Sequence, residues 1–117
     1  MTTINIFRHA RDVTTFEPGD IVFTQGDPGD FMYAVVNGTV DISRDGKVIE
    51  SIGEGGILGE LALVDRSPRG ATATAVTSAR LAPVDEQQFM FLVHEHPTFA
   101  LTVMRVMAQR LRAANIR

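Results

Sequence analysis

The stretch Gly55-Gly56-Ile57-Leu58-Gly59-Glu60-Leu61-Ala62-Leu63-Val64-Asp65-Arg66-Ser67-Pro68-Arg69-Gly70-Ala71-Thr72 decides how the rest of the sequence is read. It reads as a glycine-rich bend opening one helical turn, then a loop, then a strand. Backbone N–H groups at such a helix start favour an anion. Gly59 lets the chain approach a ligand closely, since it carries no Cβ. Arg69 can meet a phosphate through two parallel hydrogen bonds. Glu60 can accept from a sugar hydroxyl. Together these residues predict a small pocket for a ribose phosphate.

Outward from this segment, residues 14–85 are densely punctuated: Pro18-Gly19, Gly26, Pro28-Gly29, Asn37-Gly38, Asp45-Gly46, Gly53, Pro68 and Pro83. β-Favouring runs lie between the breaks at 21–24, 32–36, 39–43, 47–52, 72–76 and 80–84. Strands at this spacing predict an all-β sandwich or barrel. Asn37-Gly38 and Asp45-Gly46 both suit two-residue hairpin loops, which need φ > 0 at the centre. They predict a meander of three strands. Residues 1–13 form an N-terminal arm, where Ile4, Ile6 and Phe7 can dock on a core.

After Asp85 the apolar period changes. Asp85 is a candidate N-cap for a short helix over 86–96, and Thr98 for a longer one over 98–114. In the longer helix Thr98, Thr102, Arg105, Gln109 and Arg112 form one narrow polar stripe. The apolar remainder covers more than the single face of an ordinary surface helix. This helix is therefore expected to pack on its own barrel and on something else: a ligand, a second copy or another protein.

Composition bounds the rest. A chain of 117 residues has room for one domain. It lacks cysteine, which excludes disulfides and thiolate chemistry. No apolar run approaches the ~20 residues needed to span a bilayer, and the N-terminus has no signal-like apolar stretch. The expected location is cytoplasmic, with no membrane partner. Residues 1–97 carry 7 basic and 14 acidic groups, while 98–117 carry four arginines and no acid. The acidic body argues against nucleic acid as partner, because phosphate contacts dominate that affinity.

At Gly59-Glu60-Leu61-Ala62-Leu63, with Pro68-Arg69 and Ala71-Thr72, the sequence resembles the phosphate-binding cassette of the cyclic nucleotide-binding domain family. The nine-residue step from Glu60 to Arg69 matches the family spacing. The resemblance extends through Phe16–Phe23, Gly26–Asp30, Met32-Tyr33 and Gly38–Val40, then Phe89, Leu92, Pro97 and Arg110-Leu111. It implies a mainly β fold: an eight-stranded jelly-roll β-roll with a short cassette helix and two C-terminal α-helices. It also implies roles. Arg69 would neutralise the phosphate, with backbone N–H groups near Gly70 and Ala71. Glu60 would take the ribose 2′-hydroxyl, with Gly59 and Leu61 in backbone contact. Helix 98–114 would close over the base. The implied ligand is cAMP or another nucleoside monophosphate, cyclic or linear. Gly70 stands where many members carry a side chain, often a hydroxyl, so the usual route to cGMP is missing. Leu58 replaces a frequent Phe.

The alternative is a degenerate cassette, with Glu60 and Arg69 in a salt bridge, in a scaffold that dimerises through its last helix. Neither reading makes the chain an enzyme, and no Ser/His/Asp or paired-carboxylate arrangement is legible. No cofactor is implied, and the glycines spell neither a dinucleotide fingerprint nor a P-loop. His94 and His96 do not share a helix face and predict no metal site. His9 reads as a surface residue. Asp27 and Asp30 are explained by turn chemistry. Arg66 is a candidate second phosphate contact. DNA binding is not expected, since relatives that bind it continue into a helix-turn-helix and this sequence ends at Arg117.

Overall fold

A computed structural model describes residues 6, 7 and 10–115. Eight strands precede and flank a short helix, and two helices follow: β1 (Thr14–Phe16), β2 (Ile21–Phe23), β3 (Met32–Asn37), β4 (Val40–Arg44), β5 (Lys47–Ile52), β6 (Ile57–Leu58), α1 (Glu60–Asp65), β7 (Thr72–Ala75), β8 (Ala79–Val84), α2 (Glu86–Glu95) and α3 (Pro97–Asn115). The strands form two antiparallel four-stranded sheets, ordered β1-β8-β3-β6 and β2-β7-β4-β5. This is the mainly β, eight-stranded roll with three helices that the resemblance implies.

Period-two alternation explains the layering. Val40, Ala73, Ala75, Leu58, Val35 and Leu81 point between the sheets and form one core. In the first sheet the opposite positions are apolar too. Met32, Ala34, Ala82 and Val84 form a second core with Phe99, Val103 and Val106 of α3. The second sheet has no such outer face, because Asp41, Ser43, Thr72 and Thr74 occupy it. The helices therefore bury their apolar residues against the first sheet. Phe7 from the N-terminal arm joins the second core, edge-on to Phe99 with ring centroids 5.9 Å apart. Ile6 stays exposed; Ile4 and His9 lie outside the described residues.

Three expectations are corrected. The Asn37-Gly38 step is not a hairpin: β3 and β4 belong to different sheets, so the meander breaks there. Gly38 serves a close crossing instead. Its φ is +95°, and a Cβ would lie 2.5 Å from the Ser78 carbonyl oxygen. Asp45-Gly46 does make the β4–β5 hairpin, with φ of 53° and 82° and Arg44 opposite Lys47. Second, Thr98 is not the cap of α3. Pro97 is its first residue, where a missing N–H costs nothing. Third, the β-favouring runs leave out β1 and β6, strands of three and two residues. Asp85 caps α2 as expected, in a reciprocal capping box with Gln88.

Candidate functional site

Gly59 precedes α1 in the left-handed conformation, φ +78°. A Cβ there would stand 2.5 Å from Arg69 Nη1. Glycine is thus required twice, by the backbone and by the arginine beside it. Arg69 arrives from the loop after α1, and that loop is tied to the β2–β3 loop. The Gly26 N–H donates to the Arg69 carbonyl at 2.8 Å, and the Arg69 N–H donates to the Asp27 carbonyl at 2.7 Å. Asp27 holds its own turn by accepting from the Thr24 N–H.

The Arg69 side chain is buried, at 5% exposure. Nη1 donates to the Gly59 carbonyl at 3.2 Å and Nη2 to the Phe31 carbonyl at 2.6 Å. Its guanidinium carbon lies 4.1 Å from the centre of the Phe23 ring. Nε is the one buried side-chain polar atom without a hydrogen-bond partner among the described residues. Such a donor costs about 1–3 kcal/mol until an acceptor reaches it. Burial pulls the guanidinium below its ordinary range, and Tyr33, Asp30, Asp27 and Glu60 only partly offset this.

Glu60 is 2% exposed and does not pair with Arg69. Its Oε1 accepts from Arg110 Nη1 of α3 at 2.6 Å, so the salt bridge of the degenerate-cassette reading is replaced by another. Arg110 also donates through Nε and Nη2 to the Glu50 carboxylate of β5, at 3.1 and 3.3 Å. Nη2 further donates to the Ile57 carbonyl at 2.7 Å. Burial works against this charge, but Glu60 and Glu50 outweigh it and hold Arg110 above its ordinary range. The last helix is thereby fastened to the cassette, to β5 and to β6 by one side chain.

The other expected residues lie at the rim. Leu61 is 42% exposed on α1. Gly70 is exposed and its carbonyl accepts from Arg44 Nε at 3.1 Å; Ala71 is half-buried. Arg66 pairs with Glu86 at 2.8 Å on the surface, not with the cassette. His94 and His96 are exposed, and no cluster of metal-ligating residues occurs among the described residues. Sequence reasoning missed Phe23, Phe31, Glu50 and Arg110. Of these, Phe23 and Arg110 stood in stretches that carry the resemblance, without a site role; Phe31 and Glu50 carried no signal.

Two hollows adjoin these residues. One of about 580 Å³ lies between Pro28, Ser67 and Glu86; Arg66 lines it, but none of Gly59, Glu60, Leu61, Arg69, Gly70 and Ala71 does. The other, about 190 Å³, lies between β5 and α3 and is bordered by Glu50 and Arg110. It too is lined by none of Gly59, Glu60, Leu61, Arg69, Gly70 and Ala71, and meets them only through Arg110, which bonds Glu60. No helix among the described residues is long and apolar enough to cross a membrane.

Comparison with known proteins shows the family and the fold. The sequence profile of the family "Cyclic nucleotide-binding domain" matches residues 13–96. The CRP-like cAMP-activated global transcriptional regulator of Mycobacterium tuberculosis is 33% identical over 105 residues, covering 86% of this chain and 47% of that protein. The cAMP-dependent protein kinase regulatory subunit of Debaryomyces hansenii is 42% identical over 82 residues, covering 68% of this chain and 18% of that protein. Among solved structures, Thermus thermophilus catabolite activator protein superposes with a TM-score of 0.80 at 28% identity, over 89% of this chain and 51% of that one. The chain thus spans at most about half the length of these relatives.

Proposed function

The chain belongs to the cyclic nucleotide-binding domain family, and we propose that it is a regulatory module that takes cAMP or a related nucleoside monophosphate at Gly59, Glu60, Leu61, Arg69, Gly70 and Ala71. One observation carries this reading: Arg69 is buried at the cassette with Nε lacking a partner. A phosphate oxygen is the acceptor that such a donor lacks. A cyclic phosphate carries one negative charge, which one buried guanidinium balances; a linear monophosphate carries nearly two at neutral pH. This favours the cyclic ligand. The names of the relatives, which speak of cAMP, point the same way.

In this reading Glu60 accepts the ribose hydroxyl while it stays paired with Arg110. Arg110 makes α3 the element that senses occupancy, because the helix is fastened to the residue that holds the sugar. The role is regulatory rather than catalytic. Arg69→Ala should weaken binding of the cyclic nucleotide by about 10–100-fold, the loss of a charge-assisted hydrogen bond worth about 1.5–3 kcal/mol. Wild-type affinity in that variant would place the phosphate elsewhere.

A second reading concerns output. Leu101, Met104 and Leu111 stay 44%, 55% and 56% exposed on α3, and with Ala108 they repeat at 3- and 4-residue steps. That spacing is a helix-pairing seam. We assign it to a homodimer or to a protein partner, which also accounts for the scaffold alternative.

A further inference from the structure

We propose that Glu50 is a positioning residue for the ribose: through Arg110 and Glu60 it sets how strongly the site prefers a nucleotide with a 2′-hydroxyl. This rests on the nucleotide reading above, in which Glu60 takes that hydroxyl. Glu50 occupies an inward-facing strand position. Its partner across the ladder is Ile42, which packs on the core between the sheets, and Ile52, two residues on, is buried in that core. By alternation Glu50 shares their face. A charge placed there is costly unless it is paired. Arg110 supplies the pairing: Nε donates to Glu50 Oε1 at 3.1 Å and Nη2 to Oε2 at 3.3 Å. Two such parallel bonds fix a guanidinium in orientation as well as in place.

The orientation bears on Glu60. Arg110 Nη2 also donates to the Ile57 carbonyl at 2.7 Å, and Nη1 donates to Glu60 Oε1 at 2.6 Å. Glu50 belongs to β5 and Ile57 to β6, so two strands clamp the guanidinium before it reaches Glu60. A group that must meet a ligand atom in one place needs its rotamer locked by such support. Charge acts in the same direction. Two carboxylates share one guanidinium, which leaves one negative charge in the group for a hydroxyl to meet. Without Glu50 the group is a neutral pair, and Arg110 bears on Glu60 alone. The acceptor offered to the ribose is then both less fixed and weaker. The Glu50 side chain is 39% exposed, and Arg110 keeps Glu60 and Ile57 when it is lost, so the fold tolerates its removal.

The test is calorimetric titration of wild type, Glu50→Gln and Glu54→Gln with cAMP and 2′-deoxy-cAMP, which differ only in that hydroxyl. Wild type should bind cAMP about 10–100-fold tighter than the deoxy analogue, as a hydrogen bond to a charged acceptor predicts. In Glu50→Gln that ratio should fall by about fivefold or more, a coupling of ordinary size within one hydrogen-bond network. The fall should come from lost cAMP affinity, with the deoxy analogue little changed. Glu54, exposed in the turn between β5 and β6, is the control for charge alone, and its variant should keep the wild-type ratio. An unchanged ratio in Glu50→Gln overturns the proposal. So does an equal loss for both ligands, since Glu50 would then serve the fold alone, and so does the same fall in Glu54→Gln. A wild type that binds both ligands alike overturns the proposal and the sugar role of Glu60, while the phosphate role of Arg69 stands. No binding of either ligand overturns the nucleotide reading as well.

Discussion

Arg69 and Gly59 can only be understood together. The arginine needs its buried place beside the Gly59 carbonyl, and the glycine is the only residue that leaves that space open. Gly59→Ala would impose a left-handed conformation on alanine, costing about 1–3 kcal/mol, and would push Arg69 aside. Thermal unfolding should show a melting temperature lower by on the order of 5 °C or more. Gly70→Ala is the control. A Cβ there meets nothing and the φ is not left-handed, so stability should change by less than about 0.5 kcal/mol. Gly59, Glu60 and Arg69 could be singled out in the sequence because they sit within ten residues of one another, in the stretch that carries the resemblance. Glu50 and Phe31 could not. Arg110 meets Glu50 from 60 residues away, and Arg69 meets Phe31 from 38 residues away. No local pattern records such a partnership.

At the scale of elements, legibility followed the strength of local signals. Asp45-Gly46 and the Asp85 cap were readable because their hydrogen bonds and dihedrals are satisfied within a few residues. Asn37-Gly38 misled for the same reason. A glycine with positive φ looks alike whether it turns a hairpin or lets two segments cross, and only the Ser78 contact tells them apart. Asp85→Ala should destabilise the chain by about 1 kcal/mol, measured by denaturant titration. In α3 the two apolar faces separate cleanly. Val103 is 1% exposed against its own barrel, whereas Met104 and Leu111 face outward. Val103→Glu should therefore prevent folding, since it buries an unpaired charge. Met104→Glu with Leu111→Glu should leave the circular dichroism spectrum unchanged and convert a dimer to monomers in sedimentation. A dimer that survives both changes would place the interface elsewhere.

Across the whole molecule, one guanidinium joins the parts. Arg110 connects α3 to β5, β6 and the cassette. Arg110→Gln would leave Glu60, at 2% exposure, without its counter-charge. Removing one partner of such a pair costs on the order of 3 kcal/mol, so unfolding should begin at visibly lower denaturant. The same variant should uncouple α3 from the pocket, so that added nucleotide no longer changes amide exchange in residues 97–112.

The proposed function depends on the cassette holding a cyclic nucleotide. The decisive measurement is calorimetric titration of nucleotide-stripped protein with cGMP, cAMP and 5′-AMP. The account predicts saturable, one-to-one binding of a cyclic nucleotide, weaker binding of the linear one, and a loss of about 10–100-fold in Arg69→Ala. Absence of heat with every ligand, confirmed by an unchanged melting temperature at millimolar nucleotide, would contradict it.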